Sequence, residues 1–184
     1  MNSLQRGMQE VNPNLTHALE FGVWRGTTLR LIRDTLDSRF EVYGFDSFEG
    51  LPEDWPDTPC NKGHFSTQGQ APYIPGALIY PGWFTDTLPS YVAQASKIGL
   101  LHLDCDLYCS TKEVLEALNP FIVPGTIIVC DEWIYTRNDG SHGEDQEQKA
   151  VLEWQAEFDR EFEIVPFDDT TDHGYERKIL RVIK

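Results

Sequence analysis

Positive charge is what this sequence has least of. Its 184 residues carry 15 Lys and Arg against 30 Asp and Glu, a formal net charge of -15 at pH 7. Binding to a phosphate backbone is driven by clustered Lys and Arg, so the shortage argues against nucleic acid as a partner. Long apolar runs are also missing. No stretch approaches the ~20 residues needed to span a bilayer, and the opening MNSLQRGMQEVNPN lacks the apolar core of a signal peptide. These absences predict a cytoplasmic chain with no membrane partner. The four cysteines, Cys60, Cys105, Cys109 and Cys130, form no CxxC pair, which implies neither a zinc site nor a disulfide framework. Cys105 and Cys130 lie in or beside apolar runs, as small buried thiols do.

What is present is enough apolar material for one core. At 40% hydrophobic and 12% aromatic residues, a single domain over 1–184 is the expected organisation. Strand and helix signals alternate along it. THALEFG reads as a strand, and TTLRLIRDTL then places Leu29, Ile32 and Leu36 at helical spacing. FEVYGFD is an alternating strand followed by a long Pro- and Gly-rich region from Phe48 to Pro75. ALIYPG with FTDTLPSYVAQAS, GLLHLDCD with STKEVLEALNPF, and GTIIVCDEW with DQEQKAVLEWQAEFDREF continue the rhythm. Such alternation predicts an α/β fold, a doubly wound and mostly parallel sheet with helices on both faces. EIVPF and ERKILRVIK close the chain with only a short polar turn between them, too little for a crossover, so they must pair antiparallel. A seven-stranded, Rossmann-like sheet with a C-terminal antiparallel hairpin is the pattern of class I methyltransferases.

The ends of these strands carry the chemistry. HLDCDLY ends one apolar run in Asp104 and Asp106, and VCDEW ends another in Asp131 and Glu132. Carboxylates are costly in a low-dielectric core, so acids there belong at the carboxyl edge of the sheet, where a cation or ligand compensates them. Asp104, Asp131 and Glu132 are candidate oxygen ligands for Mg²⁺ or a similar divalent cation, with Asp106 a candidate general base. Acids after strands also commonly cap the next helix.

LEFGVWRGTT is a second feature. Gly22 and Gly26 allow a sharp turn and close backbone approach, and the helix that follows offers unpaired N–H groups. The spacing is not GxGxxG, and Glu20 just ahead of the first glycine suits a cationic group better than a pyrophosphate. Glu20, Gly22, Val23, Gly26 and Thr27 are therefore candidate cofactor contacts. Asp46, about 20 residues beyond the turn, stands where a doubly wound fold holds ribose hydroxyls. Together they point to an adenosine-containing cofactor.

Histidines and tryptophans add less. His102 alternates with Asp104 and reads as a core imidazole with a satisfied partner. His64, His142 and His173 fall in loops, and His142 is the best placed to border a substrate pocket. Trp24, Trp83 and Trp133 adjoin strand ends, where they either stack on a ring or simply pack.

The succession LEFGVWRGTT, VYGFDSFEGLPEDW, PGWFTDTLPSY, LLHLDCDLYCSTKEVLEAL and GTIIVCDEW resembles the macrocin-type O-methyltransferases. The resemblance implies S-adenosylmethionine as cofactor, a divalent metal, and methylation of a hydroxyl on a sugar or other natural-product diol. It implies that Glu20 and Gly22 hold the methionine end, Asp46 the ribose, and Ser47, Gly82 and Trp83 the adenosine. Asp104 would border the cofactor and also bind the metal with Asp131 and Glu132, and Asp106 would be the base. One departure is plain: the family pair after the fifth strand is commonly Asp-Asp, and here it is Asp-Glu. The stretch before the first strand is short for a lid, which a partner subunit of a homo-oligomer could supply. Two other readings fit some of these residues: a cofactor-binding pseudoenzyme or binding module, and a nicotinamide-dependent oxidoreductase using Asp46 for its ribose.

Overall fold

The computed structural model describes residues 2–135, 146–168 and 175–184. After a short helix α1 (Ser3–Gln9), the chain alternates β1 (His17–Phe21), α2 (Thr27–Thr35), β2 (Glu41–Asp46), β3 (Ala77–Pro81), α3 (Phe84–Val92), β4 (Ile98–Leu103), α4 (Tyr108–Leu118), β5 (Ile127–Tyr135) and α5 (Gln146–Glu157). It closes with β6 (Phe162–Ile164) and β7 (Tyr175–Val182). The seven strands form one sheet in the order β3-β2-β1-β4-β5-β7-β6. Neighbours from β3 through β5 run parallel, while β7 is antiparallel to both β5 and β6. The expected α/β class and terminal hairpin are both present.

Every residue of β1 and of β4 is buried, as expected of central parallel strands covered on both faces. One covering layer comes from α3, α4 and α5, whose Tyr91, Leu115 and Trp154 pack with Leu19, Leu101 and Cys130. The other comes from α1 and α2, whose Met8, Leu29 and Ile32 pack with Ala18, Leu100 and Val129. Period-two alternation along each strand thus sorts its side chains between two layers.

Helix α1 has no counterpart among the sequence expectations. Its start is a capping box: the Gln5 amide donates to Asn2 Oδ1 at 2.8 Å, and the Gln5 side chain accepts in return from the Asn2 amide. Gly7 lets it seat closely on β5, since a Cβ there would stand 2.5 Å from Val129 Cγ2.

Because the first switch in strand order falls between β1 and β4, the carboxyl ends of β1, β2, β4 and β5 open onto one crevice. The Phe48–Pro75 region, free of helix and strand as expected, folds over that edge and buries Leu51 and Trp55 against Leu107. The reversal of β7 has a positional consequence: its first residue, Tyr175, pairs with Tyr135 and so lies at this same edge. Among the described residues no helix is long and apolar enough to cross a membrane.

Candidate active site

The turn after β1 is shaped by backbone contacts that only glycine permits. Gly22 has φ 95°, and a Cβ there would stand 1.7 Å from the Asp104 carbonyl oxygen. The strand end is wedged between its neighbours: the Gly22 amide donates to Phe45 O at 3.0 Å and the Asp104 amide to Phe21 O at 2.9 Å. Asp46, closing β2, is held by two amides. Its Oδ2 accepts from Trp24 N at 2.6 Å and its Oδ1 from Phe48 N at 2.7 Å. Each carboxylate oxygen can accept a second hydrogen bond, so Asp46 is fixed in orientation yet still able to receive a pair of hydroxyls. The Gly82 amide donates to the Asp46 carbonyl at 2.9 Å and sets the position of Trp83, which stays 39% exposed.

On the other side of the crevice, Asp104, Asp106 and Glu132 each present an oxygen within 4.8 Å of the others. Burial pushes the carboxyl groups of Asp104 and Glu132 well up, and repulsion among neighbouring acids adds to it. Asp106, 9% exposed, is pushed up to about 7 by burial and by the charges of Asp131 and Asp46. Its backbone is left-handed, φ 64°, a conformation Asp tolerates better than most residues. The Glu132 Oε2 atom is buried and meets no hydrogen-bond partner. Clustered carboxyls whose ionisation is opposed by burial and mutual repulsion, with an orphaned oxygen among them, are the donor set a hard divalent cation satisfies, and the residues present therefore fit such an ion.

Asp131 does not join this cluster, contrary to the ligand set expected from sequence. Alternation along β5 puts it on the Val129 face and Glu132 on the Cys130 face. Asp131 Oδ1 instead accepts from Arg177 Nε on β7 at 2.9 Å and lies 4.0 Å from His102 Nε2. Burial opposes its ionisation, but His102 and Arg177 outweigh that and bring its pKa down to about 2. His102 is itself buried, with Nδ1 2.9 Å from Glu20 Oε1. Burial disfavours the imidazolium, yet Asp131 and Glu20 hold its pKa well above the ordinary value. A row Glu20, His102, Asp131, Arg177 therefore crosses β1, β4, β5 and β7 beneath the crevice.

The crevice is a cavity of about 530 Å³. Of the expected site residues, Gly22, Asp46, Ser47, Trp83, Asp104, Asp106 and Glu132 line it. Glu20, Val23, Gly26, Thr27, Gly82 and Asp131 do not. Glu20 faces His102, Val23 packs with Leu29 in the core, and Gly26 is the N-cap of α2 against Pro72 and Ile74. Thr27 is exposed at the start of that helix. Trp133 is buried in the core and serves as packing, while His142 and His173 lie outside the described residues.

Several side chains at the site have no counterpart in the sequence expectations. Trp55 and Tyr175 stack at 5.6 Å and, with Leu51, line the cavity. Glu113 and Ser110 from α4 also line it. Glu147, fully buried, accepts from the Glu132 amide at 3.1 Å and leaves Oε1 without a partner. It occupies the buried stripe of α5 with Ala150, Val151 and Trp154, so an acid on an apolar helical face was a usable signal.

A family profile described as a methyltransferase domain matches residues 19–133. The chain is 31% identical over 137 residues to the 8-demethyl-8-(2,3-dimethoxy-alpha-L-rhamnosyl)-tetracenomycin-C 4'-O-methyltransferase of Streptomyces olivaceus, covering 62% of this chain and 52% of that protein. It is 28% identical over 177 residues to the demethyldecarbamoylnovobiocin O-methyltransferase of Streptomyces niveus, covering 82% of this chain and 62% of that one. The chain thus spans between 52% and 62% of the length of these relatives. Among solved structures, the calicheamicin methyltransferase CalS11 superposes with TM-score 0.71 at 22% identity, covering 97% of this chain and 76% of that one. The O-methyltransferase NovP does so with TM-score 0.65 at 23% identity, covering 98% and 79%. The nicotinamide-dependent reading falls away, and the chain belongs to the methyltransferase-domain family as a class I protein of the macrocin O-methyltransferase type.

Proposed function

We propose that this chain is an S-adenosylmethionine-dependent O-methyltransferase acting on a hydroxyl of a small molecule, with a divalent cation at the acidic strand ends. The observation that carries the reading is that the Gly22–Asp46 turn and the Asp104, Asp106, Glu132 cluster open into one cavity. The rhamnosyl-tetracenomycin and novobiocin relatives support a sugar or other natural-product diol as acceptor. In this reading residues 1–184 act as one domain in the cytoplasm, with neither nucleic acid nor membrane as partner.

Asp46 would receive the ribose hydroxyls, and Trp83 and Ser47 would border the adenine. The tight turn at Gly22 leaves the backbone beside Asp104 open to the methionine end. S-adenosylmethionine bound there would supply an electrophilic methyl group for the substrate oxygen, with S-adenosylhomocysteine as the leaving group. Asp104 and Glu132 would hold the cation, while Asp131 is anchored by Arg177. A divalent cation at that position would supply charge that lowers the pKa of the substrate hydroxyl. Asp106 takes the hydroxyl proton on its carboxylate, and a base whose pKa has been raised towards 7 is matched to that task near neutral pH.

The test is methyl transfer from isotopically labelled S-adenosylmethionine to a panel of glycosides and catechols, followed by mass spectrometry. With Mg²⁺ present, a methylated product is expected, and a chelator should suppress it. Cofactor binding with no transfer to any acceptor would favour the binding-module reading. Full activity in chelator would remove the metal from the account.

A further inference from the structure

Strand β5 leaves the sheet ladder where its acids begin. Its pairing with β4 ends at Cys130, opposite Leu103. On the other side Cys130 pairs with Lys178 and Ile134 with Glu176, so Asp131, Glu132 and Trp133 bulge opposite the single residue Arg177. Such a bulge re-aims side chains, and the backbone groups it frees need partners from elsewhere. Two side chains fix it. Arg177 Nε donates to Asp131 Oδ1 at 2.9 Å, and Glu147 Oε2 accepts from the Glu132 amide at 3.1 Å.

Glu147 comes from outside the sheet, in the first turn of α5, and is fully buried. Val151 and Trp154 on the same buried stripe pack into the core with Cys130, which anchors the helix and makes the Glu147 oxygen a fixed acceptor. Its neighbour Gln146 makes the equivalent contact to the other acidic segment: Gln146 Oε1 accepts from the amide of Tyr108, which opens α4 just after Asp106. The first two residues of α5 thus hold both acid-bearing segments, one after β4 and one in β5, in a single fixed relation. Glu132 answers that constraint directly. It brings an oxygen within 4.8 Å of Asp104 and Asp106, and its buried Oε2 meets no hydrogen-bond partner. Glu147 is not a member of that oxygen cluster and does not line the cavity, so it acts on the site through Glu132.

Resting on the proposed function, we propose that Glu147 is a positioning residue of the cation site: by accepting the Glu132 amide hydrogen it holds the β5 bulge in the arrangement that turns the Glu132 carboxylate toward Asp104. Arg177 keeps Asp131 turned away at the same bulge. The role needs an acceptor oxygen at position 147 rather than a charge, and Glu147 contributes no ligand atom. Partners of this kind, which orient a ligand without touching the ion, govern metal affinity strongly.

Mg²⁺ is titrated calorimetrically into the metal-free parent, Glu147→Leu and Glu147→Gln, and S-adenosylhomocysteine into each protein in the presence of chelator. Glu147→Leu is expected to weaken Mg²⁺ about 10- to 100-fold while leaving S-adenosylhomocysteine affinity unchanged, because the turns at Gly22 and Asp46 are untouched. Glu147→Gln keeps an acceptor oxygen and is expected to retain the parent's Mg²⁺ affinity. Glu147→Ala provides the same readout as the leucine variant if that one does not fold. Parent-like Mg²⁺ binding in Glu147→Leu would overturn the proposal, as would an equal loss in Glu147→Gln, which would make the charge or a direct ligand bond responsible. A parallel loss of S-adenosylhomocysteine binding would overturn it too, by showing a general structural role. Absence of Mg²⁺ binding to the parent itself would remove the cation from the proposed function and this proposal with it.

Discussion

The imidazole Nδ1 of His102 lies 2.9 Å from Glu20 Oε1, with both side chains closed to solvent. The two residues sit directly opposite one another in the β1–β4 register, so the contact is set by strand pairing. Removing one partner would strand a charge in the core. We expect His102→Leu to destabilise the fold by about 3–5 kcal/mol, measured by urea denaturation. The double variant Glu20→Leu/His102→Leu should recover part of that loss, because no unpaired charge remains.

Gly22→Ala tests the close approach beneath the cofactor turn. Its Cβ would overlap the Asp104 carbonyl, and its φ of 95° is unfavourable for any side chain. A loss above about 2 kcal/mol is expected, with S-adenosylhomocysteine binding lost. A variant that binds normally would mean that strands β1 and β4 separate more easily than this contact allows.

For Asp106→Asn the expected outcome is kinetic. Turnover should fall about 10²- to 10⁴-fold, while S-adenosylhomocysteine affinity, measured by calorimetry, changes little. Equal losses in turnover and in cofactor binding would reassign the residue to a structural role.

The pH dependence of metal binding follows from the raised carboxyl groups. Asp104 and Glu132, the proposed ligands, hold protons more tightly in the folded protein than in free chains, because burial opposes their ionisation. Mg²⁺ must displace those protons, so its affinity should fall as pH drops. The rise in melting temperature on adding Mg²⁺ should accordingly be larger at pH 8 than at pH 6. A pH-independent rise would place the ion elsewhere.

Glu147→Gln probes the buried acid of α5. Burial raises its carboxyl well above the ordinary value. A raised acid in the folded state lowers stability as pH climbs from the unfolded pKa, about 4.3, towards the folded one. Glutamine removes that loss and can still accept from the Glu132 amide. The variant should match the parent in acid and exceed it above neutral pH, measured by urea denaturation across that range.

Much of this was legible in the sequence, because the signals were local. Apolar runs ending in acids marked β4 and β5, the terminal EIVPF and ERKILRVIK forced an antiparallel pair, and Asp46 stood at the expected distance from the glycine turn. What escaped was set by register and by distant partners. Asp131 and Glu132 are adjacent in sequence but leave β5 on opposite faces, and the cation that claims Asp131 is Arg177, 46 residues on. Trp55 and Tyr175 meet only because a long loop folds back over an edge that a reversed strand reaches. Helix α1 was missed because its seven residues are too short for a periodic pattern to show.

The most direct test of the account is calorimetric titration of S-adenosylhomocysteine into the purified chain and into Asp46→Ala. The account expects one molecule bound per chain, with affinity about 10- to 100-fold weaker in the variant, in which the ribose loses a charged acceptor. No binding to the parent, or equal binding to both proteins, would contradict it.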